Sequence, residues 1–176
     1  MFKHKECFSL IELLVVLFLF SLIVLFSFGR LTFLDSYRLT QETERLFMVF
    51  SYLGQKAIAS QQTQSLFLDE RSNSYRYRAN SEKFRHYTLG KSVSFGFLDN
   101  AFGPPANPET AITKSITFQS QNNEHVVYFY SQGTASSGTV YLVDRNKRFM
   151  KALTCSVAGV AYTRKYHYTQ NGWKYF

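Results

Sequence analysis

An apolar run near the amino terminus constrains this chain more than any other feature. It extends over 21 residues from Phe8 to Phe28, and its only polar members are Ser9, Glu12, Ser21 and Ser27. This length matches the roughly 20 residues that a helix needs to cross a bilayer. A carboxylate in the fifth position of such a run costs about 2.5–3.5 kcal/mol at mid-membrane and less near the edge, so Glu12 is a functional-site hypothesis in itself. The run supplies no positive partner for it.

The residues around Glu12 resemble the class III signal of type IV pilins and pseudopilins. A short leader containing Lys3 and Lys5 is followed by a small residue and then by F-S-L-I-E-L-L-V-V. The resemblance implies that a prepilin peptidase cuts between Cys7 and Phe8 and methylates the new amine of Phe8. It also implies that Glu12 neutralises the terminal amine of a neighbouring subunit during filament assembly. The family normally has Gly before the cut, where this chain has Cys7.

Two other kinds of amino-terminal segment compete with this interpretation. A secretory signal peptide has an apolar core of about 7–15 residues and then an A-x-A-like site, whereas this run is followed by Gly29-Arg30-Leu31-Thr32-Phe33. An ordinary signal anchor explains the span but not Glu12. The leader lysines favour a cytoplasmic amino terminus. We therefore expect a single-pass protein of the bacterial inner membrane with its carboxy-terminal domain in the periplasm.

A helical pattern continues beyond the apolar run. From Asp35 to about Ser60, apolar residues recur with the spacing of an amphipathic helix. The two patterns together predict one long helix from Phe8 to about Ser60, with a transmembrane half over 8–29 and an amphipathic half over 30–62. Gly29 at the junction weakens the helix by about 1 kcal/mol relative to Ala. It is a candidate flexible joint, with an ordinary helical glycine as the alternative.

The remainder of the chain, over 63–176, has the period of two that is typical of strands. A leader over 1–7, a long helix and this β-rich domain make an α+β protein of pilin-like fold. All three prolines lie in Asp99–Thr113, which predicts a long loop. The predicted strands are Ser65–Asp69, Ser74–Arg78, Ser92–Leu98, Ser115–Gln119, Val126–Ser131, Thr139–Asp144, Lys151–Val157 and Val160–Tyr168.

The segment Val126–Leu142 is similar to a pattern in the GspH/FimT family of minor pseudopilins. It has a strand ending in F-x-x-x-G, a turn of small residues, and a second strand of alternating apolar residues. A plain hairpin connection is the alternative. Leu153–Gly159 is similar to the V-x-V-S-x-x-G-R segment of that family, with Val160 in place of the Arg. The resemblance implies a minor pseudopilin of a type II secretion filament, whose partners are other pseudopilins, the prepilin peptidase and the membrane assembly platform.

The net positive charge of the chain is confined to the predicted exported domain. Residues 1–29 contain two Lys and two Glu, so the whole formal charge of +8 falls on the rest of the chain. Basic residues there alternate with aromatic ones, a composition that can contact phosphates and stack bases. The alternative function is therefore a DNA-binding minor pilin that serves DNA uptake. This function requires five basic residues to share one face: Arg76, Arg78, Arg85, Arg164 and Lys165. The alternative is ordinary strand alternation, with Tyr inward and Arg outward.

No catalytic or metal-binding pattern is visible. The four histidines are scattered at positions 4, 86, 125 and 167, and no nucleophile–base set or phosphate loop accompanies them. We expect no enzyme activity, cofactor, metal or small-molecule substrate. Removal of the leader would leave Cys155 as the single cysteine, in a strand-like run. We interpret it as a buried, unreactive thiol, with an intermolecular disulfide as the alternative.

Overall fold

The computed structural model describes residues 9–28, 31–78, 83–103, 106–156, 163–169 and 172–176. They form an α+β arrangement of two helices followed by two antiparallel sheets. The chain divides into two compact units, Met1–Leu34 and Asp35–Phe176. The predicted leader over 1–7, the cut before Phe8 and the candidate joint at Gly29 lie outside the described residues.

The first unit contains helix α1, Leu10–Phe28, which is apolar on every side. From Leu10 to Leu25 each side chain is exposed or nearly so. In the part of the chain that the structure describes, no helix qualifies as a candidate membrane span.

Helix α2, Leu31–Ser60, ends where the periodicity predicts. Its last turn closes through hydrogen bonds that the Gln61 and Gln62 amides donate to the carbonyls of Ile58 and Ala57. Gln61 takes a left-handed φ of 52°, which is a common way to end a helix. From Asp35 onward α2 buries one face, made of Leu39, Thr43, Leu46, Val49, Phe50, Leu53 and Ala57.

Two five-stranded antiparallel sheets make up the rest of the second unit. The first has the order β3-β2-β1-β6-β5 and the second the order β10-β9-β8-β7-β4. The strands are β1 Gln64–Asp69, β2 Ser74–Arg78, β3 Phe84–Thr88, β4 Val93–Phe95, β5 Ser120–Gln121, β6 Glu124–Phe129, β7 Gly138–Asp144, β8 Met150–Cys155, β9 Thr163–Thr169 and β10 Gly172–Tyr175.

The structure corrects two of the predicted strands. Ser115–Gln119 is not a strand: Ile116 forms an isolated bridge with Val140, because the segment meets β7 through only a few hydrogen bonds. Ile116 and Phe118 nevertheless reach the core. The strand predicted over Ser92–Leu98 shortens to β4. Strands β3, β5 and β10 were not predicted.

The main core lies between α2 and both sheets. Phe50 of α2 contacts Phe129 of β6 edge-on, with ring centroids 5.5 Å apart, and Phe118 at 6.2 Å. Leu142 and Leu153 of the second sheet belong to the same buried cluster. Packing of one helix face against two sheets therefore fixes the position of each sheet relative to the other.

The opposite face of the second sheet is covered by the predicted proline loop. Ala101 and Ile112 of that loop pack in a smaller buried cluster with Tyr141. Trp173 of β10 closes the cluster by donating a hydrogen bond from Nε1 to the Phe102 carbonyl, at 2.7 Å. The second sheet thus has both of its faces covered.

We expect Leu46→Ala to lower the free energy of unfolding by about 2–5 kcal/mol, because it opens a cavity in the main core. Met48→Ala, two residues away, removes a side chain that is 62% exposed and should cost no more than about 0.5 kcal/mol. Urea unfolding of the full chain in neutral detergent, followed by fluorescence of the single tryptophan, Trp173, measures both. Equal losses would contradict the assigned helix face.

The Cys155 thiol is buried, as predicted, and forms no disulfide within the described residues. Burial raises its pKa from 9.0 to about 11, which reduces the thiolate fraction at neutral pH about 100-fold. In the Cys7→Ser variant of the full chain, iodoacetamide at pH 8 should therefore alkylate Cys155 at least about 100 times more slowly in the native state than in urea. The native rate should rise as the pH approaches 11. Mass spectrometry provides the rates, and equal rates in both states would refute the assignment.

Candidate assembly site

Glu12 and Ser9 form a reciprocal cap at the start of α1. The Ser9 amide donates a hydrogen bond to Glu12 Oε2 at 2.9 Å, and Ser9 Oγ accepts one from the Ile11 amide at 3.2 Å. This is the capping box, in which two otherwise unpaired amides at a helix start are satisfied by a Ser side chain and a Glu three residues later. The carboxylate also lies at the positive end of the helix dipole.

The cap gives Glu12 a hydrogen-bond partner within its own chain, and this partner was not predicted. The pattern Ser9-x-x-Glu12 before an apolar run was visible and is itself the signature of a helix start. Among the described residues, no hydrogen bond reaches Oε1. The carboxylate can therefore cap its own helix and still offer one oxygen to a second donor.

The surroundings of this carboxylate are apolar and open. Leu10, Ile11 and Leu13 are 78%, 68% and 57% exposed. A charged group beside so much exposed apolar surface offers a docking point for a cation carried on another apolar segment. Cys7 and Phe8, which the resemblance assigns to leader cleavage and methylation, lie outside the described residues.

Arg76 and Arg78 lie together on the outer face of the first sheet. Arg76 stacks between the rings of Phe67 and Phe84, at 5.0 and 5.3 Å, and its Nη2 donates to Glu124 Oε2 at 2.7 Å. The Arg78 guanidinium also lies over the Phe84 ring, 5.2 Å from its centroid. Tyr75 and Tyr77, which alternate with these two arginines along β2, are buried in the core. On this strand Tyr is inward and Arg outward, as ordinary alternation predicts.

Arg85 occupies the other face of the same sheet. It pairs with Tyr77 across the β2–β3 ladder, and opposed residues share a face. It lies beside the hydroxyls of Tyr77 and Tyr87, and side-chain hydrogen bonding to Tyr77 is the largest cause that raises the pKa of Arg85. Arg85 is therefore separated from Arg76 and Arg78 by the sheet itself.

Arg164 and Lys165 are neighbours on β9 and so project to opposite faces of the second sheet. Lys165 faces α2, where its Nζ donates to Glu44 Oε1 at 2.6 Å and lies 4.7 Å from the Phe47 ring. Arg164 lies opposite Thr154 on the other face. The structure therefore does not bring the five basic candidates onto one surface.

The turn that carries the GspH/FimT resemblance connects the two sheets. Gly133 takes a φ of 85°, and its amide closes the turn by donating a hydrogen bond to the Tyr130 carbonyl. Ala135 then bridges back to Phe129, before the chain enters β7 in the other sheet. Strands β6 and β7 are not paired with each other, so the segment is not the plain hairpin that was the alternative. Of the Leu153–Val160 segment, positions 157–160 lie outside the described residues.

Within the described ranges, no group of three or more His, Cys, Asp or Glu side chains is placed to hold a metal ion. The catalytic and cofactor expectations stay predictions.

Comparison with solved structures finds similarity to a minor pseudopilin. The minor pseudopilin EpsH from the type 2 secretion system of Vibrio cholerae aligns with 70% of this chain and 94% of its own, with a TM-score of 0.49 and 11% sequence identity. No family model matches the chain. No curated protein matches it either.

We expect Ser9→Ala to loosen the start of α1, because the Ile11 amide loses its acceptor. The loss of an N-cap costs about 1 kcal/mol, which corresponds to roughly fivefold faster hydrogen exchange at Ile11. Ser21→Ala is the matched control, since Ser21 Oγ only donates to the Phe18 carbonyl within the helix. Amide exchange of the full chain in detergent micelles, measured by NMR, distinguishes them. Unchanged exchange at Ile11 in Ser9→Ala would rule out the cap.

Proposed function

We propose that this chain is a structural and assembly subunit of the minor pseudopilin type, acting in a type II secretion or related type IV pilus-like filament. The observation that carries the proposal is Glu12, a carboxylate at the start of an exposed, all-apolar helix with one oxygen unengaged among the described residues. A carboxylate in such surroundings becomes favourable when it meets a cation of matching geometry. The amine at the start of a second, processed copy or related subunit supplies that cation.

Assembly then follows from the chemistry of the helix start. The Ser9 cap holds the carboxylate in place, so little side-chain entropy is lost when a second donor arrives. The apolar surface of α1 is covered by the α1 helices of neighbouring subunits, and the Glu12–amine pair sets their axial register. The second unit carries the basic charge and contacts partners outside the membrane.

Insertion of α1 into the inner membrane before assembly is part of the proposal. Its support is the apolar run Phe8–Phe28 in the sequence and the uniform exposure of the apolar side chains from Leu10 to Leu25, although no described helix qualifies as a span. We propose a cytoplasmic amino terminus and a periplasmic β-rich domain. Carbonate extraction of cell membranes should leave the chain in the pellet, and its release into the supernatant would contradict the anchor.

Leader removal by a prepilin peptidase, with methylation of Phe8, belongs to the same proposal. Its support is the F-S-L-I-E motif after a short basic leader. Cys7 stands where the family has Gly, so Cys7→Gly provides the reference for efficient cleavage. Mass spectrometry of both forms, coexpressed with the peptidase, should find mature chains that begin at Phe8.

DNA uptake is the alternative function, and one observation favours keeping it as a prediction. Arg76 and Arg78 form a cation–aromatic surface with Phe67 and Phe84 on one sheet face. Arg76 is already paired with Glu124, however, and the other basic candidates lie elsewhere. The filament proposal therefore explains more of the molecule.

Two substitutions of Glu12 separate its charge from its cap. Glu12→Gln keeps an oxygen that can accept from the Ser9 amide but removes the negative charge, whereas Glu12→Leu removes both. In cells with a prepilin peptidase and a secretion filament, we expect both variants to insert and to be processed. Incorporation into sheared filaments should fall at least about tenfold in both, because the neighbour's amine is left unpaired.

Ser21→Ala is the control for this experiment and should be incorporated as well as the unmodified chain. Wild-type incorporation of Glu12→Gln would show that charge pairing does not drive assembly. Loss of membrane insertion in either variant would show that the defect precedes assembly.

A further inference from the structure

A charged groove in the second unit has no role in the proposed assembly. It has a volume of about 760 Å³ and lies between the amino-terminal part of α2, the turn at Gly90–Ser92 and the tip of the β7–β8 hairpin. The turn is held on both sides: the Gly90 amide donates to Glu42 Oε1 at 3.3 Å, and the Arg145 amide donates to the Ser92 carbonyl at 2.9 Å. The walls therefore come from three segments that are fixed to one another.

The two acidic residues of the groove are already engaged. Asp35 Oδ2 accepts from the Arg148 guanidinium at 2.9 Å and from Asn146 Nδ2 at 3.2 Å. Glu42 accepts from the Gly90 amide and pairs with Arg45 at 3.5 Å. Both carboxylates therefore already have donors within the protein.

The three cations of the groove are uncommitted. Within the described residues, the side chains of Arg38, Lys91 and Arg145 make no ion pair or hydrogen bond, although other basic residues of this unit have such partners. They come from three different segments and line a single concave surface. Three cations that line one polar groove and have no ion pair among the described residues provide donors of the kind that bind a phosphate group.

We propose that this groove binds a phosphate group through Arg38, Lys91 and Arg145. The group can belong to the headgroup of an anionic phospholipid or to a small soluble phosphate, since both present anionic phosphate oxygens. Arg38 follows Phe28 by ten residues in the sequence, so a headgroup is the source that we favour. That preference, unlike the phosphate site itself, rests on the proposed membrane anchor.

The test compares two triple variants of the full chain. In the groove variant, Arg38, Lys91 and Arg145 are each replaced by Gln. In the control variant, the exposed residues Lys83, Lys114 and Lys174, which lie outside the groove, are replaced in the same way. Both variants lose three positive charges, so a nonspecific effect of net charge is equal in the two.

Two arms identify the source of the phosphate. In neutral maltoside micelles, inorganic phosphate and glycerol phosphate are titrated while the amide shifts of Gly90 and Ser92 are followed by NMR. In nanodiscs, pure phosphatidylcholine is compared with a mixture that contains phosphatidylglycerol. We expect the groove variant to bind at least about tenfold more weakly than the unmodified chain, and the control variant to stay within about twofold.

Shifts in the micelle arm alone assign a soluble phosphate, and shifts with phosphatidylglycerol assign the headgroup; either result supports the site. Equal losses in the two variants, or no shift at Gly90 and Ser92 in either arm, overturn it. A DNA duplex that depends on the three cations when both phosphate sources fail also overturns it, in favour of nucleic acid. Failure of the anchor alone leaves the micelle result unaffected, so the two proposals fail separately.

Discussion

The second unit depends on the burial of one face of α2 between two sheets. Phe50 contacts Phe129 of the first sheet and Phe118 of the segment that runs beside β7 of the second. Leu46 and Leu53 on the same helix are fully buried. Ion pairs continue this attachment at the edges, from Glu44 to Lys165 and from Asp35 to Arg148. Among the described residues, no strand of one sheet pairs along its length with a strand of the other. Helix α2 packs against both sheets, and the Phe95 amide of β4 also donates to Asn73 Oδ1 in the β1–β2 turn. Buried apolar area is the dominant stabilising contribution in such a core.

The periodicity of apolar residues was sufficient to predict helices and strands that bury one face and expose the other. The end of α2 at Ser60 and the limits of β2 were predictable because apolar and polar residues alternate there with the period of the element. Strand β3 was missed because it is an edge strand, and four of its five residues are exposed. Its position is fixed instead by stacking of Tyr87 on Tyr75, with ring centroids 5.6 Å apart, a contact that sequence spacing does not report.

The basic residues show where alternation fails as a guide to surfaces. On β2 the pattern gives the correct result, since one face of the first sheet is buried. On β9 it does not, because α2 covers one face and the loop around Ala101 covers the other, so Tyr166 and Lys165 are both partly buried. A cluster of basic residues in the sequence can thus be divided by the very sheet that carries it. The groove cations were not predicted, because they come together only through the fold.

The cap at the start of α1 has a consequence for a subunit that has not yet assembled. A bare carboxylate would disfavour residence in an apolar medium, but Ser9 already supplies one of the hydrogen bonds that water would otherwise provide. In the unassembled subunit, Oε2 of Glu12 thus already has a donor within its own chain. Under the proposed mechanism, Oε2 of Glu12 stays in the cap, and Oε1 binds the amine of a neighbouring subunit. Storage and recognition would be divided between the two oxygens of a single side chain.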